Sequence, residues 1–299
     1  MAEGAGGVNL APMGLESGFV QSNGIRLHYL AAGPGAGKPV LLVHGNSHCG
    51  GVWAPLIEDL AGLGFRAYGL DLRGHGYSDK PEDGYDWASI GADVAGAVEG
   101  LGLRDALVVA HSRGGGASLL AAAYHPGRVR GVVAFEPTTP LSRAAPPGSG
   151  GPPPALRLAE RTRRRRTAFP SREFLYAYYR EREQFRDWRE DYLRALVEYG
   201  TEEVEGGIER LCPGWVEGKL FEAMLDEGPW REAPRRDTPV LLVYGERSGR
   251  LGPGRDPAAP VTRIFPHARS HVMAGVTHFG PMEQPDEFRR IVIEFEAGL

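Results

Sequence analysis

Short apolar runs bounded by turn residues recur along this chain, and their order constrains the fold more than any other feature. PVLLV (39–43), FRAYGLDL (65–72), ALVVAHS (106–112), VRGVVAFEP (129–137) and PVLLVYG (239–245) each read as a strand buried on both faces. ARSHVMAGV (268–276) is a weaker sixth. Between them lie helix-like stretches at 51–63, 86–101, 113–125 and 281–297. This alternation predicts an α/β fold, with a mostly parallel sheet flanked by helices on both faces. Ahead of the first run, GFVQSNGIRLHYLAAG alternates about Asn23-Gly24. That is a hairpin signal, because a two-residue turn needs positive φ.

The alternation breaks once. From Thr138 to about Pro234 there is no buried-strand run. The segment opens on TTPLSRAAPPGSGGPPPA, too rich in Pro and Gly for regular structure, and continues through Arg-rich and aromatic helical stretches. The chain carries 43 Gly and 24 Pro in 299 residues, well above the usual share. Much of that excess falls at this boundary and at turns, so it marks a hinge rather than general disorder. The expected organisation is a loose leader at 1–17, an α/β core formed by 18–137 and 235–299, and a helical cap at 138–234.

Several classes of function are disfavoured. A formal net charge of -4 argues against nucleic acid as a partner. Cys49 and Cys212 are too few for a disulfide framework, which makes a reducing cytoplasm the expected compartment. MAEGAGGVNLAPMG has neither a basic nor an apolar signal-peptide region, and no apolar run is long enough to span a membrane. No metal-ligand spacing or nucleotide loop occurs, so no cofactor is expected.

The sharpest local motif is Ala110-His111-Ser112-Arg113-Gly114, between the run ALVV and an Ala-rich helix. A serine on so sharp a strand-to-helix turn is strained. The residues two before and two after it are pressed together, so both must be small. The turn aims the hydroxyl outward and sets the Arg113 amide at a helix start, beside any oxyanion that forms. His44-Gly45-Asn46, after the run VLLV, supplies the second oxyanion donor from the Asn46 amide. His278, in Gly275-Val276-Thr277-His278-Phe279, follows the last strand and is placed to take the serine proton. His44 and His111 read as bracing and packing residues, and His75 as part of a glycine loop.

Taken in order, LLVHGN, DLRGHGYSDKP (71–81), VVAHSRGG and HFGPMEQPDEF (278–288) resemble the α/β-hydrolase superfamily. DLRGHGYSD resembles its capped branch, which holds epoxide hydrolases, haloalkane dehalogenases, haloperoxidase-like enzymes and carboxylesterases. The resemblance implies an α/β-hydrolase fold with an inserted cap and an acid that orients the histidine. In the family that acid usually sits past the strand ending here at Gly245, in a pattern like GExD. This chain reads Gly245-Glu246-Arg247-Ser248, with Ser248 in the expected Asp position. The family's other place for it is the end of the strand after the nucleophile helix, where Glu136 stands. Glu136 is therefore the expected acid, with Asp256 and Glu246 in reserve. Asp71, Asp79 and the Arg73-Gly74-His75-Gly76 turn read as loop braces.

The nucleophile narrows the chemistry. Epoxide hydrolases and haloalkane dehalogenases of this fold use an aspartate, because a carboxylate displacing at an alkyl carbon leaves a cleavable ester, whereas serine would leave an inert ether. Ser112 points instead to attack on a carbonyl, and so to an ester or related acyl substrate. Perhydrolysis, haloperoxidase-like activity and C–C bond hydrolysis use the same three residues and remain alternatives. So does a ligand-binding receptor on the same scaffold. The aromatic content of the cap favours a hydrophobic or aromatic small molecule, although most of those rings read as the cap's own core. The run Arg161 to Arg166 reads as a solvated face paired with Glu residues, with anion recognition as the sharper alternative.

Overall fold

A computed structural model describes residues 14–140, 153–251 and 256–299. The main sheet has eight strands: β1 (Glu16–Ser22), β2 (Ile25–Ala32), β3 (Lys38–Val43), β4 (Phe65–Leu70), β5 (Ala106–His111), β6 (Val129–Phe135), β10 (Val240–Gly245) and β11 (Arg269–Met273). Their order is β1-β2-β4-β3-β5-β6-β10-β11. The first two form an antiparallel hairpin about Asn23 (φ 47°) and Gly24 (φ 80°), and β2 runs antiparallel to β4. Every later pairing is parallel.

The interior strands are apolar on both faces because both faces are covered. Leu41 and Val43 enter the layer formed with α2 (Trp87–Gly100) and α3 (Ser112–Tyr124). Val40 and Leu42 enter the opposite layer, with α1 (Ala54–Gly62) and α11 (Pro285–Ala297). The weaker signal of β11 has a plain cause: it is an edge strand, and only Met273 of its five residues is buried. The predicted helix at 281–297 divides into α10 (Gly280–Glu283) and α11, since Pro285 suits a helix start and not an interior.

From β3 the chain moves outward to β4, then returns to β5 on the other side of β3. This reversal opens a crevice between the carboxyl ends of β3 and β5, the usual ligand position in such sheets. Two glycines let the backbones close there. A Cβ on Gly114 would lie 2.4 Å from the His44 carbonyl oxygen, and one on Gly45 would lie 3.1 Å from Ser112 Cβ.

Two expectations are corrected here. Strand β1 starts at Glu16, inside the expected leader, because its pairing with β2 extends to Ala31; residues 1–13 lie outside the described residues. The segment between β6 and β10 is not purely helical. It holds α4 (Pro154–Arg163), β7 (Ala168–Phe169), α5 (Arg172–Arg180), α6 (Glu190–Tyr199), β8 (Thr201–Val204), β9 (Gly207–Arg210), α7 (Gly214–Ala223) and α8 (Gly228–Glu232). Strands β7, β9 and β8 form a small antiparallel sheet. These strands are two to four residues long, and β8 buries only Thr201, so they lack an apolar run. Most of the Pro/Gly hinge, residues 141–152, lies outside the described residues.

The Gly114 contact gives a stability test. Gly114→Ala should lower the unfolding free energy by about 1–3 kcal/mol in urea denaturation. Gly62→Ala, at a site with open space around the added Cβ, should change it by less than about 1 kcal/mol or stabilise. Equal stability of the two variants would contradict the close approach of α3 to β3.

Candidate active site

The site begins with backbone strain. Ser112 has φ 53°, a left-handed conformation that a residue with a side chain adopts at a cost. It is held by strand β5 on one side and helix α3 on the other, and Thr138 N donates to the Ser112 carbonyl at 2.8 Å. The turn points the hydroxyl at His278, whose Nε2 lies 3.0 Å from Ser112 Oγ. His278 Nδ1 in turn donates to Glu136 Oε2 at 2.8 Å. The three residues come from the ends of β5, β6 and the loop after β11, brought to one edge of the sheet by the parallel order of the strands.

Glu136 is fully buried and also has positive φ, 46°. Its amide donates to the Val243 carbonyl, and its Oε1 accepts from Gly245 N at 3.0 Å. Burial alone would raise its pKa. The hydrogen bond and charge of His278, the Arg250 guanidinium and the Ser248 hydroxyl outweigh burial and hold it below the ordinary 4.5. Arg250 Nε lies 2.8 Å from the same oxygen that His278 contacts, and Nη1 donates to the Pro137 carbonyl at 3.0 Å. Ser248, in the expected Asp position, thus bonds to the carboxylate that stands there instead. The reserve carboxylates are elsewhere: Glu246 caps Gly275 N at 2.8 Å and Asp256 caps Ala258 N at 3.0 Å, both exposed.

The residues expected to hold an oxyanion flank the serine. Arg113 lies in the first turn of α3, where amides have no intrahelical acceptor. Its side chain is fully buried and turned into the insertion, donating to the carbonyls of Leu220 (2.7 Å) and Tyr85 (2.9 Å) and lying over the Trp87 ring. Burial without a paired carboxylate brings its pKa down to about 9. Asn46 follows Gly45, the point of closest approach to Ser112, and its side-chain amide is buried with no partner. His44 braces the loop, accepting from Leu72 N at 3.0 Å, and Asp71 does so by accepting from Gly50 N at 2.5 Å.

Four participants carried no local sequence signal for their roles. His111 Nε2 donates to the His278 carbonyl at 2.8 Å, so the residue before the serine also fixes the histidine loop. Thr138 Oγ1 lies 3.3 Å from Ser112 Oγ. Arg250 and Ser248 act through Glu136, and nothing short of the folded chain brings them to it. Beside His278, Phe279, Trp188, Phe185 and His48 form a wall of rings, with Phe279 5.2 Å from His278 and 5.4 Å from Trp188. Of the aromatics in the insertion between β6 and β10, Phe174 and Trp215 are exposed, while Phe169, Phe185, Trp188, Tyr192, Phe221 and Trp230 are buried. Among the described residues no cluster of His, Cys, Asp and Glu is placed to hold a metal, and no helix is long and apolar enough to cross a membrane.

A mostly parallel eight-stranded sheet, with a serine on a strand–helix turn and a histidine after the last strand, defines the α/β-hydrolase architecture. The sequence pattern of the alpha/beta hydrolase fold family matches residues 38–285, and the chain belongs to that family. It is 28% identical over 263 residues to a 2-(acetamidomethylene)succinate hydrolase of Mesorhizobium japonicum, covering 87% of this chain and 88% of that one. It is 26% identical over 268 residues to a non-heme chloroperoxidase of Kitasatospora aureofaciens, covering 87% and 93%. A crystal structure of E-2-(acetamidomethylene)succinate hydrolase superposes with a TM-score of 0.77 at 27% identity, over 95% of this chain and 99% of that one. The protein is a hydrolase of this fold family.

Arg250 generates a pH prediction. Its charge competes with His278 for Glu136 Oε2, so removing it strengthens the pull of the carboxylate on a protonated His278. Neutral His278 is then lost at higher pH. Arg250→Met should move the acid limb of the kcat/KM profile toward higher pH, and Arg250→Lys should move it less. An unmoved limb in Arg250→Met would remove Arg250 from any tuning role.

Proposed function

We propose that the protein cleaves a carboxylic ester or related acyl compound through an acyl-enzyme. The observation that carries this reading is the unbroken chain Ser112 Oγ, His278 Nε2, His278 Nδ1 and Glu136 Oε2, with contacts of 3.0 and 2.8 Å. In it, Ser112 Oγ attacks the substrate carbonyl while His278 takes the hydroxyl proton. The carbonyl oxygen becomes an oxyanion between the amides of Asn46 and Arg113, each such donor worth about 100- to 1000-fold in rate. Glu136 holds the Nδ1–H tautomer and stabilises the imidazolium. As the tetrahedral intermediate collapses, the bond to the leaving group breaks and His278 gives that group the proton. Water, deprotonated by His278, then splits the Ser112 ester and releases the acid.

The insertion serves as the cap in this reading. The rings of Phe185 and Trp188 beside Phe279 suit an apolar portion of the substrate next to the reacting carbon. The similarity to a non-heme chloroperoxidase supports a second reading, in which hydrogen peroxide replaces water in resolving the acyl-enzyme and yields a peracid. The first two chemical steps are then the same.

Ser112→Ala should abolish turnover of short aryl esters while circular dichroism and Tm stay close to wild type, and a serine-directed phosphonate should label the wild type only. Unaltered turnover in that variant would sink the proposal. Glu136→Gln should lower kcat about a thousandfold or more, whereas Asp256→Asn should leave it within about twofold. The reverse ranking would move the acid to Asp256.

A further inference from the structure

Beyond the three residues of the hydrogen-bonded chain, one more hydroxyl touches Ser112 Oγ. Thr138 Oγ1 lies 3.3 Å away, and among the described residues it has no other hydrogen-bond partner. Thr138 is fully buried. Its place is fixed by the nucleophile helix. Thr138 N donates to the Ser112 carbonyl at 2.8 Å, and the backbone here is pressed against the first turns of α3. A Cβ on Gly115 would lie 3.1 Å from Pro137 Cα, and one on Gly116 would lie 2.3 Å from the Thr138 carbonyl oxygen. The second and third glycines of Gly114-Gly115-Gly116 thus admit the segment Glu136-Pro137-Thr138, and the acid and this hydroxyl arrive together.

The direction of the contact follows from the protons. Glu136, held below the ordinary carboxyl pKa, is ionised and accepts from His278 Nδ1. In neutral His278 the other ring nitrogen is then bare and can only accept. At 3.0 Å it takes the hydrogen bond of the Ser112 hydroxyl. Ser112 Oγ has no second proton to offer, so at 3.3 Å Thr138 is the donor and Ser112 Oγ the acceptor. That separation is long for two neutral hydroxyls, and the bond is weak while the serine rests. A hydroxyl donating to a charged oxygen draws in to about 2.5–2.7 Å and holds roughly twice as strongly. A bond that strengthens as charge develops lowers the barrier more than it lowers the resting state.

Resting on the acyl-hydrolase reading, we propose that Thr138 is a catalytic residue whose hydroxyl donates to Ser112 Oγ while that oxygen gains charge. In acylation His278 takes the Ser112 proton, the Oγ–C bond forms, and the carbonyl electron pair moves onto the oxyanion. Thr138 keeps its own proton and stabilises Oγ as it becomes nucleophilic. In deacylation the Oγ–C bond breaks with its electron pair going to Oγ. His278 returns the proton, and Thr138 again donates to the departing oxygen. Because the bond is made to Ser112 and not to substrate, its loss slows both steps without weakening binding.

Thr138→Val removes the hydroxyl and keeps the shape, whereas Thr138→Ser keeps the hydroxyl and loses a methyl. Labelling by a fluorophosphonate and the 4-nitrophenol burst from 4-nitrophenyl butyrate both read attack by Ser112. Thr138→Val should slow both by about 10- to 100-fold and Thr138→Ser by less than about threefold, while the ester concentration giving half the maximal burst rate stays within about twofold. A structural role gives the opposite ranking, because only Thr138→Ser opens space in the core. Equal rates in Thr138→Val and wild type, or a Thr138→Ser protein slower than Thr138→Val, would overturn the proposal. The fluorophosphonate needs no carbonyl carbon. Wild type that is labelled but gives no burst on the ester loses the acyl-hydrolase reading alone, and the labelling rates of the variants still decide the role of Thr138. Neutron diffraction of the deuterated wild type at about pH 8.5, above the usual histidine range, needs neither variants nor turnover. A deuteron on Thr138 Oγ1 aimed at Ser112 Oγ is expected. A deuteron on Ser112 Oγ aimed at Thr138 overturns the assignment by itself.

Discussion

The site depends on how closely helix α3 is pressed against the end of strand β3. A Cβ at position 114 would collide with the carbonyl oxygens of His44 and Val43, so only glycine lets the helix start there. That closeness forces Ser112 into positive φ and brings the His44-Gly45-Asn46 loop against the serine. The strain at Ser112 is offset by the pairing of β5 on both sides and by Thr138 N on its carbonyl.

The same edge shows how an acid can move between strands without moving in space. Strands β6 and β10 are hydrogen-bonded neighbours, so a carboxylate at the end of either lies below the histidine loop. Glu136 occupies the β6 end, and the β10 side supplies its supports: Gly245 N on one oxygen, with Ser248 and Arg250 following in sequence. A serine where an aspartate is expected becomes intelligible. With the charge already on β6, a second carboxylate would repel it, whereas a hydroxyl supports it.

Much of this was legible because it is local. The strands of the sheet reveal themselves as apolar runs, and Ala110-x-Ser112-x-Gly114 shows the crowding of the turn in its own residues. Glu136 was legible only against the missing aspartate at Ser248. What stayed hidden depends on distant segments meeting. Nothing near Arg250 or Thr138 in sequence says that they face Glu136 and Ser112. Strands β7, β8 and β9 bury too few residues to leave a periodic pattern, and β8 spends its length on exposed charges. The arginine run reads as a solvated face paired with Glu residues, and exposed Arg163, Arg164 and Arg165 do pair with Glu222, Glu160 and Glu217.

The insertion is tied to the core on both sides of the serine. On one side α6 packs onto the chain just past the oxyanion loop, where a Cβ on Gly51 would overlap the Tyr199 side chain, and Tyr192, Leu193 and Leu196 join the core layer of α1. On the other, the Arg113 guanidinium crosses from the nucleophile helix to the Leu220 carbonyl in α7. The residue that follows the serine is therefore anchored by its side chain in the insertion. Arg113 and Arg210 mark the two ways a buried guanidinium can be accommodated. Carbonyl oxygens and a tryptophan face suffice for Arg113, which takes no carboxylate. Arg210 shares half of one with Arg165 and opens on a cavity.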